Sequence, residues 1–281
     1  MPTIHSTATI DPKATLADDV TVGPYCVIEG PVTIGQGCRL HSHVVIMGNT
    51  TIGSGNNFWP HCVVGSDPQD LKFAGEDSQL IIGNNNDIRE HVTIHKGTTN
   101  GGNVTRIGNN NLIMVGAHIA HDCLIGSHIL LANTVQLAGH VKVEDNAIVS
   151  GASAVHSFVT IGLHAYVGGA TRVARDVPPF MVFEGNPSSV RSVNVVGLTR
   201  REFSATTIDH LKEAFRLLFR PSADGSGVGK TTQHMVTLEQ QYPDDENIML
   251  LVNFIRNSSR GLHGRFLESQ RNDSRFHNPA R

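Results

Sequence analysis

The stretch IGNNNLIMVGAHIAHDCLIGSHILLANTVQLAGHVKVEDNAIVSGASAVHSFVTIGLHAYVGGATRV (107–173) decides the fold, because a bulky apolar residue returns at every sixth position from Ile107 to Val173. The same register runs upstream from Ile10 through Leu16, Val22, Ile28, Ile34, Leu40, Ile46, Ile52 and Phe58 to Val64, and again through Ile82, Ile88 and Ile94. A small or modest side chain stands two residues earlier, as at Ala8, Cys26, Cys38, Ala117, Cys123, Ala147 and Ser153. A period of six fits neither an α-helix nor a continuous alternating strand, so each hexad reads as one short strand plus a corner. Three hexads close one coil of a triangular prism, with the large residue inside. Coils stack at the strand spacing of about 4.7–4.9 Å, so the 25 hexads predict roughly eight coils and a rod about 40 Å long.

Composition narrows the function classes. The 281-residue chain carries a net charge of −3, which provides no broad basic field for nucleic acid. It shows neither a long apolar run nor a signal-peptide pattern, so no membrane span and a cytoplasmic location are expected. Cys26, Cys38, Cys62 and Cys123 all occupy the small inward position, without a CxxC pair, and read as reduced packing residues.

Two insertions break the repeat: GSDPQDLKFAGEDSQL (65–80) and HKGTTNGGNVTR (95–106). A regular solenoid has no structural need of them, and loops on a rigid scaffold commonly carry binding groups. Asp70 and Lys72 mark the first as functional; the glycine-rich second is the less informative of the two. After Val173 the hexads give way to RDVPPFMVFEGNP and then to helical periodicity, with Ser204 as N-cap and Ile208, Leu211, Phe215 and Leu218 forming one stripe. Further helices are expected over about 232–241 and after Pro243. The domains therefore read as 1–190 for the rod, 191–256 for a helical domain and 257–281 for a mobile tail. GSGVGKT (225–231) imitates a phosphate-binding loop, but Asp224 stands where its first glycine belongs and a helix, not a strand, precedes it.

Eight of the 16 histidines lie between His91 and His164. An 18-residue coil stacks Ile119, Leu137 and Val155, which brings His121, His140 and His156 into a loose column at one corner, with His118 beside them. Three imidazoles so placed are a metal site, a catalytic cluster or a polar edge. His121 stands out because Asp122 follows it: a carboxylate that fixes one tautomer leaves the other ring nitrogen to take a proton. Gly139 allows a substrate to approach its backbone N–H, as an oxyanion donor requires. The HxxH spacing of His118 and His121 suggests zinc, but neighbouring strand positions face opposite ways and catalytic zinc needs three convergent ligands. No metal or cofactor is expected.

The hexads resemble the left-handed parallel β-helix of hexapeptide-repeat acyltransferases. AHIAHDCLIG (117–126), QDLKFAGE (69–76), TIHKGT (93–98), LAGHV (137–141), AVHSF (154–158), VGG (167–169), DVPPF (176–180) and VNVVGLTRREFS (193–204) together resemble the acyl-ACP:UDP-N-acetylglucosamine O-acyltransferases of lipid A biosynthesis. The resemblance covers about residues 5–256. It implies a mainly β fold, a left-handed β-helix followed by a small helical domain, and a homotrimer with sites in the clefts between rods. It further implies transfer of an (R)-3-hydroxyacyl group from acyl carrier protein to the glucosamine 3-OH of UDP-N-acetylglucosamine.

Matched by position, His121 is the base, Asp122 its orienting carboxylate and Gly139 the oxyanion donor. The resemblance further implies that Asp70, Lys72, His118, His140 and His156 contact substrate, that Gly169 limits the acyl groove, and that Asn194 and Arg200 help hold the nucleotide and the phosphopantetheine end of the donor. Val196 and Ser157 depart from the usual acidic residue and glutamine of the family. Another sugar acyltransferase using an acyl-CoA donor, a zinc-dependent carbonic anhydrase and a noncatalytic scaffold are the competing readings.

Overall fold

A computed structural model describes residues 1–220 and 231–270; the GSGVGKT segment lies largely outside them. The hexads form a left-handed parallel β-helix of two-to-four-residue strands, which with two longer strands at its C-terminal end make three sheets of 11, 9 and 8 strands, one per prism face. Register follows the repeat, with Ile119 paired over Leu137 and Leu137 over Val155. The apolar position points inward: Ile28, Ile46, Phe58, Ile88, Ile119, Leu137, Val149 and Val167 are all buried in one continuous core. All four cysteines are buried and unpaired. Desolvation pushes the Cys62 and Cys123 thiols up to about 12, so they remain protonated packing groups.

The rod extends beyond the sequence register at both ends. Thr3–Ile4 adds a strand before Ile10 and pairs with Thr21–Val22. After Val173, Met181–Gly185 continues the first sheet, with Phe183 over Val167, and Ser188–Val193 returns antiparallel. Phe183 lies 16 residues after Val167 instead of 18, which is why the six-residue count loses it.

Helices α1 (Val195–Arg200), α2 (Ala205–Phe219), α3 (Thr231–Gln241) and α4 (Glu246–Ser259) follow. Ser204 caps α2 by accepting from the Thr207 N–H. Ile208, Leu211, Ala214 and Phe215 pack with Leu238, Ile248 and Leu251, while Leu218 is half-buried at the edge of this second core. Helix α4 extends to Ser259, past the expected domain boundary. Ser258 and the Arg265 N–H then both donate to Asp176 of the rod. The stretch read as a mobile tail is thus packed as far as the turn at Gly264–Gln270, because Asp176 offers it two acceptor oxygens.

Inside the rod an asparagine ladder replaces the small residue on three coils. Asn86 donates to the side chain of Asn56 at 2.9 Å and to the Gly108 carbonyl at 3.0 Å, and accepts from the Asn111 N–H at 3.0 Å. Asn86→Ala leaves the Gly108 carbonyl and the Asn111 N–H buried without these partners, each costing about 1–3 kcal/mol. The expected loss is about 2–6 kcal/mol, read as a lower urea midpoint at unchanged slope.

Candidate active site

The two insertions meet on the rod surface between the second and third sheets. Lys96 pairs with Asp67 at 2.9 Å, and Glu76 accepts from the Thr99 N–H, so each loop holds the other. Below them the chain turns the corner at Asp122, His140 and Phe158 on successive coils, all three in the left-handed backbone region. That conformation costs a non-glycine residue of order 1 kcal/mol. Earlier coils use Gly30 and Gly48 at this corner; here side chains with chemistry replace them.

His121 Nδ1 lies 2.7 Å from Asp122 Oδ2. Because a carboxylate only accepts, Nδ1 carries the proton and Nε2 keeps its lone pair. The Asp122 side chain has no exposure to solvent. Its Oδ1 accepts from the Thr98 N–H at 2.7 Å, its Oδ2 from the Thr98 hydroxyl at 2.6 Å, and its own N–H donates to Thr105 Oγ1 at 2.8 Å. Gly101 lies against the carboxylate so closely that any side chain there would collide with it. The second insertion, read as the less informative, is therefore the cradle of Asp122. The signal available in the sequence was a threonine preceded by Gly97 and followed within three residues by Gly101, which allow close approach.

On the other side of the ring Asp70 Oδ2 lies 4.0 Å from His121 Nε2, and the Lys72 N–H is turned to Asp70 Oδ1 at 3.1 Å. His140 meets His121 edge-on at 5.1 Å and packs flat on Phe158 at 4.2 Å. The histidine column thus ends at His140, with Phe158 taking the next position because it occupies the same corner. His156 lies beyond and faces the Arg265 guanidinium at 3.4 Å. His118 turns away from His121: its Nδ1 pairs with Thr93 Oγ1, and its ring stands edge-on to His95. Burial, then charge on His118, holds His95 down at about 4. Burial, then charge on His121, also lowers His118.

Gly139 lies directly beneath the imidazole, where a Cβ would approach His121 Cε1 to 2.5 Å. Among the described residues its N–H has no hydrogen-bond partner. Asn194 and Arg200 belong to the helical domain. The Asn194 amide caps α1 by accepting from the Gly197 N–H and donates to the His164 carbonyl, and Arg200 lies in the last turn of α1. Gly169 is exposed on another corner, with only ordinary contacts around the position of a Cβ.

His121, Asp122 and His140 bring potential metal-ligand atoms within 4.8 Å of one another. The Asp122 oxygens, however, already accept from both Thr98 donors and from His121. Tetrahedral zinc would require that network to be dismantled, so the donor set fits a hydrogen-bonded base better than a metal.

A carboxylate-held imidazole, a free backbone N–H beneath it and two loops folded over it on a hexad rod define a hexapeptide-repeat transferase. The bacterial transferase hexapeptide model matches residues 31–66, and the model described as "Udp N-acetylglucosamine O-acyltransferase; Domain 2" matches 176–263. The chain is 44% identical to the acyl-acyl carrier protein:UDP-N-acetylglucosamine O-acyltransferase of Verminephrobacter eiseniae, over 93% of this chain and 99% of that one. The UDP-N-acetylglucosamine acyltransferase structure from Francisella novicida superposes with a TM-score of 0.86 at 38% identity, covering 92% of each chain. That from Bacteroides fragilis gives 0.87 at 36% identity, over 93% of this chain and 98% of that one. The chain belongs to the acyl-acyl carrier protein:UDP-N-acetylglucosamine O-acyltransferase family.

The position of Gly139 yields a direct test. Gly139→Ala requires no left-handed backbone, but its methyl group displaces the His121 ring. Turnover is expected to fall about 10²-fold or more, the usual effect of misplacing a reacting group by an ångström, with the circular dichroism spectrum unchanged.

Proposed function

We propose that the protein transfers an (R)-3-hydroxyacyl group from acyl carrier protein to the 3-OH of UDP-N-acetylglucosamine, the first step of lipid A biosynthesis. The hydrogen bond between His121 and the buried Asp122 carries this reading. His121 Nε2 removes the proton of the 3-OH as that oxygen attacks the thioester carbonyl. The carbonyl oxygen, now negative, points at the Gly139 N–H. The tetrahedral intermediate collapses with cleavage of the C–S bond, and the imidazolium returns its proton to the departing sulfur. No covalent enzyme intermediate is needed, and the protonated, buried cysteines supply no nucleophile.

Asp70 and Lys72, on the loop over Nε2, contact the acceptor. His118, His140 and His156 line the sugar and acyl pocket, and Asn194 and Arg200 act on the nucleotide and carrier ends. The names of the relatives favour a carrier-protein donor over acyl-CoA. Three rods associate, each cleft completed by a neighbour; the almost fully exposed Leu71 beside Asp70 supports a partner at this loop. A cytoplasmic location accords with the described residues, among which no helix is long and apolar enough to cross a membrane.

His121→Ala leaves the prism core untouched, so stability changes by less than about 1 kcal/mol, while turnover falls about 10²–10⁴-fold. Asp122→Asn costs less, because the base remains. His128→Ala, at an exposed corner outside the site, is the control. Near-normal turnover in His121→Ala, or equal damage in His128→Ala, places the base elsewhere.

Gly169 serves as the ruler of the acyl groove, and its glycine admits a chain of about 14 carbons by family resemblance. The surroundings tolerate a larger side chain. Gly169→Met is therefore expected to fold normally and to shift preference toward shorter donors, by about 0.8 kcal/mol for each methylene it excludes. Mass spectrometry of the products from a mixture of hydroxyacyl carrier proteins reads the change, and an unaltered profile would mean that the groove ends elsewhere.

A further inference from the structure

We propose that Thr98 is a positioning residue that moderates the basicity of His121 through Asp122. This rests on the reading of His121 as the general base. Two carboxylates face that imidazole: Asp122 Oδ2 at 2.7 Å from Nδ1 and Asp70 Oδ2 at 4.0 Å from Nε2. Both attract the positive charge that the ring acquires when it takes up a proton. Other titratable groups near it are Lys72 on the loop that carries Asp70, His140 on the next coil, and His118 and His95 on the sheet behind. Burial keeps the last two below the ordinary histidine range, so they contribute little positive charge against the two carboxylates.

Thr98 supplies the missing counterweight. It is 2% exposed and gives Asp122 two donors, the N–H to Oδ1 and the hydroxyl to Oδ2. The hydroxyl bond, at 2.6 Å, falls on the same oxygen that holds His121. Each donor to a carboxylate draws charge from it and weakens it as an acceptor for the next group. With Thr98 in place Asp122 still orients the ring but attracts its proton less. The geometry therefore assigns orientation to Asp122 and the tuning of its strength to Thr98.

Thr98→Val removes the hydroxyl while keeping the shape and the N–H bond; Thr98→Ser keeps the hydroxyl. Histidine ring NMR titration of the full-length, substrate-free protein, with the His121 signal identified by its absence in His121→Gln, reads the midpoint directly. In Thr98→Val the His121 midpoint is expected to rise by about 0.5 pH unit or more. The acid limb of kcat/KM should move up with it, so that the variant loses more activity at pH 6 than at pH 8. Thr98→Ser should retain the native midpoint and limb. Should the valine variant not fold, Thr98→Ala removes the same hydroxyl and carries the same expectation. An unmoved His121 midpoint in a folded variant lacking the hydroxyl, or an equal shift in Thr98→Ser, overturns the proposal. The titration requires no turnover, so its outcome is independent of the His121→Ala assay that tests the base itself.

Discussion

The parallel ladder between coils is the constraint on which the rest depends. Each short strand donates to and accepts from the strand one coil away, so residues 18 apart lie above one another wherever the count is unbroken. Parallel pairing gives little tolerance for slippage, because a one-residue shift would turn the buried apolar residue outward. A rod so fixed can hold side chains from separate coils at set distances with little reorganisation, as a preorganised site requires. Asp122, His140 and Phe158 are neighbours for this reason and not through any long-range packing of their own.

The ladder alone does not build the site. Ile82 lies 18 residues after Val64 and Ile107 lies 13 after Ile94, where a hexad allows six, and the surplus chain leaves the prism as two loops. They do different work. The first brings Asp70 to the open side of the imidazole; the second folds back to surround Asp122 with Thr98 and Gly101. Rigid coils set the position of His121, while the loops set its electrostatic surroundings.

The sequence disclosed those features that repeat. Ile107 through Val173 specified the prism, the stacking of Ile119, Leu137 and Val155 and the closeness of His121 to His140, because period and register are properties of spacing. The pairing of His121 with Asp122 was also legible, as adjacent residues of complementary chemistry. The corner column was only partly so: His156 lies two residues before the corner position that Phe158 fills, and an apolar ring announces no role in a polar site. The contacts of Thr98 and Arg265 were hidden because they depend on how loops fold back over 24 and 109 residues of sequence, distances that no periodicity governs. The family resemblance supplied handedness and the substrate roles, neither of which follows from six-residue spacing.

Burial of the surrounding histidines completes the electrostatic picture. His95 on the preceding coil and His118 three residues before His121 on its own coil would, if protonated, repel a proton arriving at His121. Their folded-state values lie below the ordinary histidine value, chiefly through desolvation. By linkage they add least to stability where the unfolded chain would take up their protons, as pH falls through the ordinary histidine value and below. Over the neutral range both remain neutral, so that in the proposed mechanism the positive charge formed during turnover is confined to His121, beside Asp122. In the proposed mechanism the buried imidazoles thus favour proton transfer by staying neutral, and the charge balance at His121 rests with the two carboxylates and the Thr98 hydroxyl bonded to one of them.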